Sequence, residues 1–184
     1  MIDMRNMWEG LSWLGGTWGT VGVVSVLVVL VLLFSPSNTR LGSPTAWGLK
    51  ISSRFRTVLA TLLGFTGVLA TTFMFKLILG VARPTQDVGT WGLAYVSGHS
   101  STSAYLWWLA SWFTLLRGLK SKPLLVLSML TATVPFLIAW SRVELEAHTI
   151  IDVVAGLVLG GLWVVGVGVK LAKIRAIISP TSVG

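Results

Sequence analysis

The chain alternates between long apolar runs and short polar segments, and the runs come in membrane-spanning lengths. A bilayer-crossing helix needs about 20 predominantly apolar residues. Five stretches qualify: Leu14 to Phe34, Thr57 to Leu79, Ser100 to Leu116, Leu124 to Trp140 and Thr149 to Val169. SPSNTR stops the first, RGLKSK the third and KLAKIR the fifth. The pattern predicts an all-α integral membrane bundle of about five transmembrane helices, with six as the other count. Residues 1–19 carry Trp8, Trp13 and Trp18 among Gly15, Gly16 and Gly19, and read as an interfacial lead-in rather than a sixth span. Asp3 and Glu9 spoil a basic leader, and no A-x-A site follows the first apolar run, which argues against a cleavable signal peptide.

Composition agrees. Only 11% of the 184 residues are charged, against about 25% in an ordinary soluble domain, and mean hydropathy is +0.82. One transmembrane domain over residues 1–184 is expected. Cysteine is absent, which excludes a disulfide framework, a thiol nucleophile and a thiolate metal site. The net charge of +8 has no basic run or aromatic-interleaved patch behind it, so nucleic acid is not an expected partner. The cations sit instead at the ends of apolar runs, where anionic bilayer lipids and the positive-inside rule account for them. Arg40, Lys50, Arg54 and Arg56 follow the first span; Arg117, Lys120 and Lys122 follow the third; Lys170, Lys173 and Arg175 follow the fifth. These ten share one side, which the rule makes cytoplasmic. Arg5, Lys76, Arg83 and Arg142 lie on the other, which is therefore the outer face.

That outer face collects three polar islands: Lys76 to Pro84, Val96 to Ser100, and Ser141 to Asp152. They hold both histidines and half of the six acidic residues. Ionisable residues beside membrane-length apolar runs mark a functional site by default. In the first island Lys76 and Arg83 are seven residues apart, close to two helical turns, so a continuing helix would present both on one side. Snorkelling of both to headgroup phosphates is the plainer reading. In the second, Ser97-Gly98-His99 opens a helix, whose free N–H groups and positive dipole end make an anion site. Gly98 permits close backbone approach and Ser97 adds a hydroxyl; equally, Ser97 or Ser100 is an N-cap, and His99 is an interfacial histidine. In the third, His148 and Asp152 are four apart, the spacing of side chains that meet on one helix face. A carboxylate on one ring nitrogen leaves the other to act as a nucleophile. Arg142 lies in the loop ahead of them, and its fork suits phosphate oxygens.

Taken together, K-x-x-x-x-x-x-R-P, S-G-H and S-R-x-x-x-x-x-H-x-x-x-D across residues 76–152 resemble the three-part signature of the type 2 phosphatidic acid phosphatase family. That superfamily also includes vanadium haloperoxidases and glucose-6-phosphatases. The first and third parts match in full; in the second, Val96 stands where the family usually has proline. The resemblance implies an acid phosphatase/vanadium haloperoxidase-like helical core. Lys76, Arg83 and Arg142 would bind the phosphate with Ser97 and the Gly98 amide. His148 would attack phosphorus, held by Asp152, and His99 would protonate the leaving oxygen. No metal or other cofactor is implied, since fixed cations stabilise the charge on the phosphoryl oxygens. The expected activity is hydrolysis of a lipid phosphate or pyrophosphate of undecaprenyl, phosphatidylglycerol phosphate, phosphatidic acid or lipid A type. It would take place at the outer, periplasmic face of a bacterial plasma membrane. A lipid phosphotransferase differs only in its acceptor; a non-catalytic lipid-phosphate binder or transporter could dispense with His148 and Asp152.

The remaining features carry less. Asp87, Glu144 and Glu146 either hold a cationic or sugar headgroup or are solvated loop acids. Trp13, Trp18, Trp91 and Trp140 fit an outer aromatic belt. Trp107, Trp108 and Trp112 either line an acyl-chain cleft or face lipid and neighbouring helices. Gly156 and Gly160 make a small-x-x-x-small pair that seats the last span against its own bundle or joins two copies.

Overall fold

The structure, a computed structural model, describes residues 4–34, 53–80, 95–118 and 121–178. Among these lie six helices: α1 (Met4–Gly15), α2 (Thr17–Phe34), α3 (Ser53–Leu79), α4 (Gly98–Gly118), α5 (Lys122–Glu144) and α6 (Ile150–Ile178). Each apolar run is helical, the first divided at Gly16 between α1 and α2, and α3, α5 and α6 extend beyond the runs into basic or polar flanks. Three helices are long and apolar enough to cross a membrane: Phe55–Leu79, Lys122–Glu144 and Ile150–Lys170. The pair α1–α2 qualifies as one broken span, bent by 51° at Gly16. The chain is thus a multi-pass membrane protein.

The helix α4, expected as a span, falls short of that hydropathy because its first turns read GHSSTSAY. The reason is its place in the bundle. It packs against α2, α3, α5 and α6, and Ser100, Ser101, Ser103, Tyr105, Leu106 and Leu109 are buried. A helix shielded by other helices need not be apolar all round. Its hydroxyls are used internally: Tyr105 donates to the Thr61 carbonyl at 2.8 Å, Ser111 to the Ser128 carbonyl at 2.8 Å, and the Ser101 and Thr72 hydroxyls bond at 2.9 Å. The core beneath them joins Leu27, Val68, Tyr105, Leu106, Leu109, Val164 and Val167.

Glycines set the closest approach. A Cβ on Gly156 would lie 2.7 Å from the Ser97 carbonyl oxygen and 2.9 Å from the Ser100 Cβ, and one on Gly160 would strike the Ser101 carbonyl. The small pair therefore seats α6 on α4 inside the bundle. The tryptophans divide. Trp108 donates to the Ala132 carbonyl at 3.0 Å, next to Pro135, which removes a ladder donor from α5. Trp112 is largely exposed and lies over Gly168, while Trp107 faces a cavity. Trp13, Trp18 and Trp140 are exposed; Trp91 and Asp87 lie outside the described residues.

Candidate active site

The end of α3, the start of α4, the end of α5 and the start of α6 meet at one end of the bundle; a backbone bond joins α4 to α6 and a hydroxyl pair joins α3 to α4. The first turn of α6 is built by Thr149 and Asp152. The Thr149 N–H donates to Asp152 Oδ2 at 2.9 Å, and the Asp152 N–H donates to the Thr149 hydroxyl at 3.3 Å. This is a capping box, each side chain satisfying the other's backbone N–H. Asp152 is thereby fixed at a helix N-terminus, where a carboxylate is favoured.

His148 stands outside that helix. The helical i, i+4 face expected for His148 and Asp152 does not form, because α6 begins at Ile150, with Thr149 as its cap and the histidine ahead of both. The turn brings the two together all the same: His148 Nδ1 lies 3.8 Å from Asp152 Oδ2, with side chains 1% and 4% exposed. At that separation the two atoms face each other beyond hydrogen-bond distance.

Arg142 belongs to the last turn of α5, not to the following loop. Its backbone organises the turn that carries His148. The Ala147 N–H donates to the Arg142 carbonyl at 3.0 Å, the His148 N–H to the same oxygen at 3.2 Å, and the Glu146 N–H to the Val143 carbonyl at 2.9 Å. These are the bonds of a Schellman motif, with Glu146 as the left-handed residue at φ 53. Glu146 thus holds a glycine's position, and both it and Glu144 are exposed. The Arg142 side chain is 5% exposed and sits where a cation complements the helix dipole.

Ser97 is the N-cap of α4. Its carbonyl accepts from Ser101 N–H at 3.0 Å, and its hydroxyl faces Ser100 N–H at 3.4 Å. Its own N–H donates to the Asp152 carbonyl at 3.0 Å. That bond, with Gly156 clearing space one turn later, joins the second polar island to the third. The N-termini of α4 and α6, each the positive end of a helix dipole, therefore meet beside Arg142 and His148, and Gly98 and His99 occupy the first turn of α4. The residue before the cap, Val96, is buried with φ 58. Proline is held near φ −65°, so this backbone could not carry the proline of the usual motif. A β-branched residue there is strained by roughly 1–3 kcal/mol.

Lys76 lies in the last turn of α3, which ends at Gly80 with φ 58. It is one turn beyond Thr72, whose side chain meets Ser101 and Gly98, so Lys76 shares the helix face turned toward the start of α4. Arg83 and Pro84 lie outside the described residues. Among the described residues, no group of three or more His, Asp or Glu side chains is placed to hold a metal.

One contributor escaped the sequence pattern. The helix α1, expected as an interfacial lead-in, packs across α5 and α4. Its Ser12 is 5% exposed and accepts a hydrogen bond from Arg142 Nη1. At the break that follows, a Cβ on Gly15 would lie 3.3 Å from the His99 Cβ, and one on Gly16 would lie 3.6 Å from His99 Nε2. These two glycines let the chain pass directly over the His99 ring. No local pattern encodes a bond between residues 130 apart.

A solved structure with a similar fold is a transmembrane PAP2-type phosphatidylglycerolphosphate phosphatase from Bacillus subtilis. It superposes with a TM-score of 0.74 at 20% sequence identity, over 95% of this chain and 79% of that one. No curated protein matches the sequence. The family model of the PAP2 superfamily matches residues 55–173, more than half of the chain, and takes in the three polar islands but not α1. The protein is a membrane-embedded member of the PAP2 superfamily.

Proposed function

We propose that the protein is a lipid phosphatase that removes a terminal phosphate from a lipid phosphate or pyrophosphate through a phosphohistidine. The observation that carries this reading is the buried His148–Asp152 pair at 3.8 Å, bonded through Asp152 to the N-cap of α4. Asp152 Oδ2 faces Nδ1, so Nε2 is the nitrogen that attacks phosphorus. The capping box holds the carboxylate still, so the imidazole is the partner that closes the remaining gap when substrate binds; catalytic hydrogen bonds are commonly long before that. A carboxylate at Nδ1 fixes the tautomer and stabilises the charge that develops on the ring.

The phosphoryl oxygens would lie against Arg142, Lys76, Arg83 and the Gly98 amide, where fixed positive charge acts in a water-poor site. The buried Ser97 hydroxyl has a structural task at the helix cap, so its help to the phosphate is indirect. His99 would give a proton to the departing oxygen and then take one from the water that attacks the phosphohistidine. In the first step the P–O bond to the lipid breaks as the N–P bond forms; in the second, water's oxygen replaces nitrogen and orthophosphate leaves. The residues supply the positive charge themselves, so the reaction as drawn uses no metal.

The site is proposed to face outward, because Lys122 and Lys170 stand at the opposite ends of α5 and α6 from Arg142 and Asp152. The test of function is phosphate release by the purified protein in detergent with excess EDTA. Phosphatidic acid, phosphatidylglycerol phosphate, undecaprenyl pyrophosphate and lipid A are the substrates. Turnover of at least one is expected; silence on all four, or activity that needs added magnesium, overturns the reading.

A further inference from the structure

The candidate catalytic pair is closed off from its surroundings. The side chains of His148 and Asp152 are 1% and 4% exposed, and Arg142 is 5% exposed. Attack on phosphorus needs the reacting atoms within about 3–3.5 Å, so a phosphoryl group must lie against an imidazole that water itself hardly reaches. Part of the fold has to move before that contact forms. The helix α1 is placed to do so. It packs on α5 and α4, its Ser12 accepts from Arg142 Nη1, and the break that follows it lies against the His99 ring and the fully buried Ile138.

We propose that α1 is a lid, hinged between Gly15 and Gly19, that opens to admit a phosphate and closes over it with the Ser12–Arg142 bond as its latch. The inference rests on the lipid-phosphatase reading and adds a conformational step to it. The hinge is built from glycine. The helices α1 and α2 meet at a bend of 51°, with Gly16 as the break between them, and glycine leaves that break free to turn. Hinges are a few residues at element ends that absorb such a rotation. The closed angle itself depends on Gly19, where a Cβ would stand 2.5 Å from the carbonyl oxygens of Trp13 and Leu14. Only a residue without a side chain lets α1 fold this far over α2. The outward side chains Met4, Met7 and Trp13 are exposed, and an apolar helix face of this kind rests in the bilayer interface when α1 swings out. Closure brings Ser12 onto Arg142 and keeps bulk water from the phosphoryl transfer; opening releases orthophosphate.

The native chain has no cysteine, so a single one placed under α1 reports the opening. Ile138 is fully buried, with a methyl 2.5 Å from the place of a Gly15 Cβ. Ile138→Cys is treated in detergent with a small methanethiosulfonate, with and without vanadate. Val68→Cys, equally buried but in the core beneath the site, controls for unfolding. The Ile138→Cys thiol should react about a hundredfold faster than the Val68→Cys thiol and slow about tenfold in saturating vanadate. Ser12→Cys, on the other side of the seam, should follow Ile138→Cys. Adding Gly19→Ala, whose new methyl meets only α1 backbone, forbids the closed angle; it should speed the Ile138→Cys reaction about tenfold and raise KM. Thiols at 12 and 138 no faster than the control, or rates that vanadate and Gly19→Ala leave unchanged, would overturn the lid while leaving the phosphatase reading intact. A wild type that releases phosphate from none of the four lipids above would overturn the phosphatase reading and closure over a phosphate with it, whatever the thiols report.

Discussion

Replacing Ser12 by alanine removes the hydroxyl that accepts from Arg142 Nη1. Both residues are 5% exposed, so bulk water does not take the serine's place freely. A hydrogen bond to a charged group contributes about 1.5–3 kcal/mol net, and about 1.4 kcal/mol is a factor of ten in binding. Part of that contribution holds α1 on α5, and part holds the guanidinium in the rotamer that, under the proposed mechanism, would face the phosphate. If the lower bound of about 1.5 kcal/mol falls on the second, phosphate affinity drops about tenfold. We expect Ser12→Ala to raise KM for a lipid phosphate about tenfold and to weaken vanadate inhibition by a similar factor, while kcat changes less. Ser12→Thr keeps the hydroxyl and should stay within about threefold of the wild type. The readouts are phosphate release against substrate concentration and the vanadate inhibition constant, both on variants that elute as the wild type does in detergent. Unchanged KM and vanadate inhibition in Ser12→Ala, or no rescue by threonine, would refute a positioning role.

Three further outcomes are expected. Gly156→Val should press a side chain on the Ser97 carbonyl, where even a Cβ would stand at 2.7 Å, and part α4 from α6. A shift of about 1 Å at a catalytic site costs on the order of 100-fold, so kcat/KM should fall by that much with the protein still folded; wild-type rates would show that the Ser97–Asp152 junction does not set the geometry. Glu146→Gly should relieve a left-handed residue of about 1 kcal/mol, raising Tm by about 2–4 °C with activity unchanged; a lower Tm in a thermal melt would contradict the Schellman assignment. A cysteine replacing Thr90 should react with an impermeant maleimide in intact cells and one replacing Ser121 should not, since the native chain has none; the reverse pattern would put the site in the cytoplasm.

How far the fold was legible follows from what each element answers to. The helices α3, α5 and α6 meet lipid along much of their length, so hydropathy alone marks them. By contrast, α4 answers to the other helices. Its serines bond inside the bundle, and a hydropathy criterion misses a helix whose surroundings are protein. At the site, residue types were legible and their local geometry was not. The spacing of His148 and Asp152 resembled a helical turn, yet T-x-x-D at Thr149 is also a capping-box signature, and that box wins because it satisfies two backbone donors. The Schellman turn was hidden by Glu146, which occupies a place that glycine usually announces. Ser12 was beyond reach, since its partner is decided by how α1 folds back at Gly15 and Gly16.

The central claim is that His148 carries the phosphoryl group, and trapping that group tests it most directly. Wild-type protein would be mixed with a lipid phosphate labelled with radioactive phosphorus in its terminal group, quenched in alkaline denaturant within the first turnover, and digested. The account predicts label on the peptide containing His148, stable to base and lost in acid, absent from His148→Ala and diminished in Asp152→Asn. Turnover of the lipid by His148→Ala, or label that persists in that variant, would contradict it.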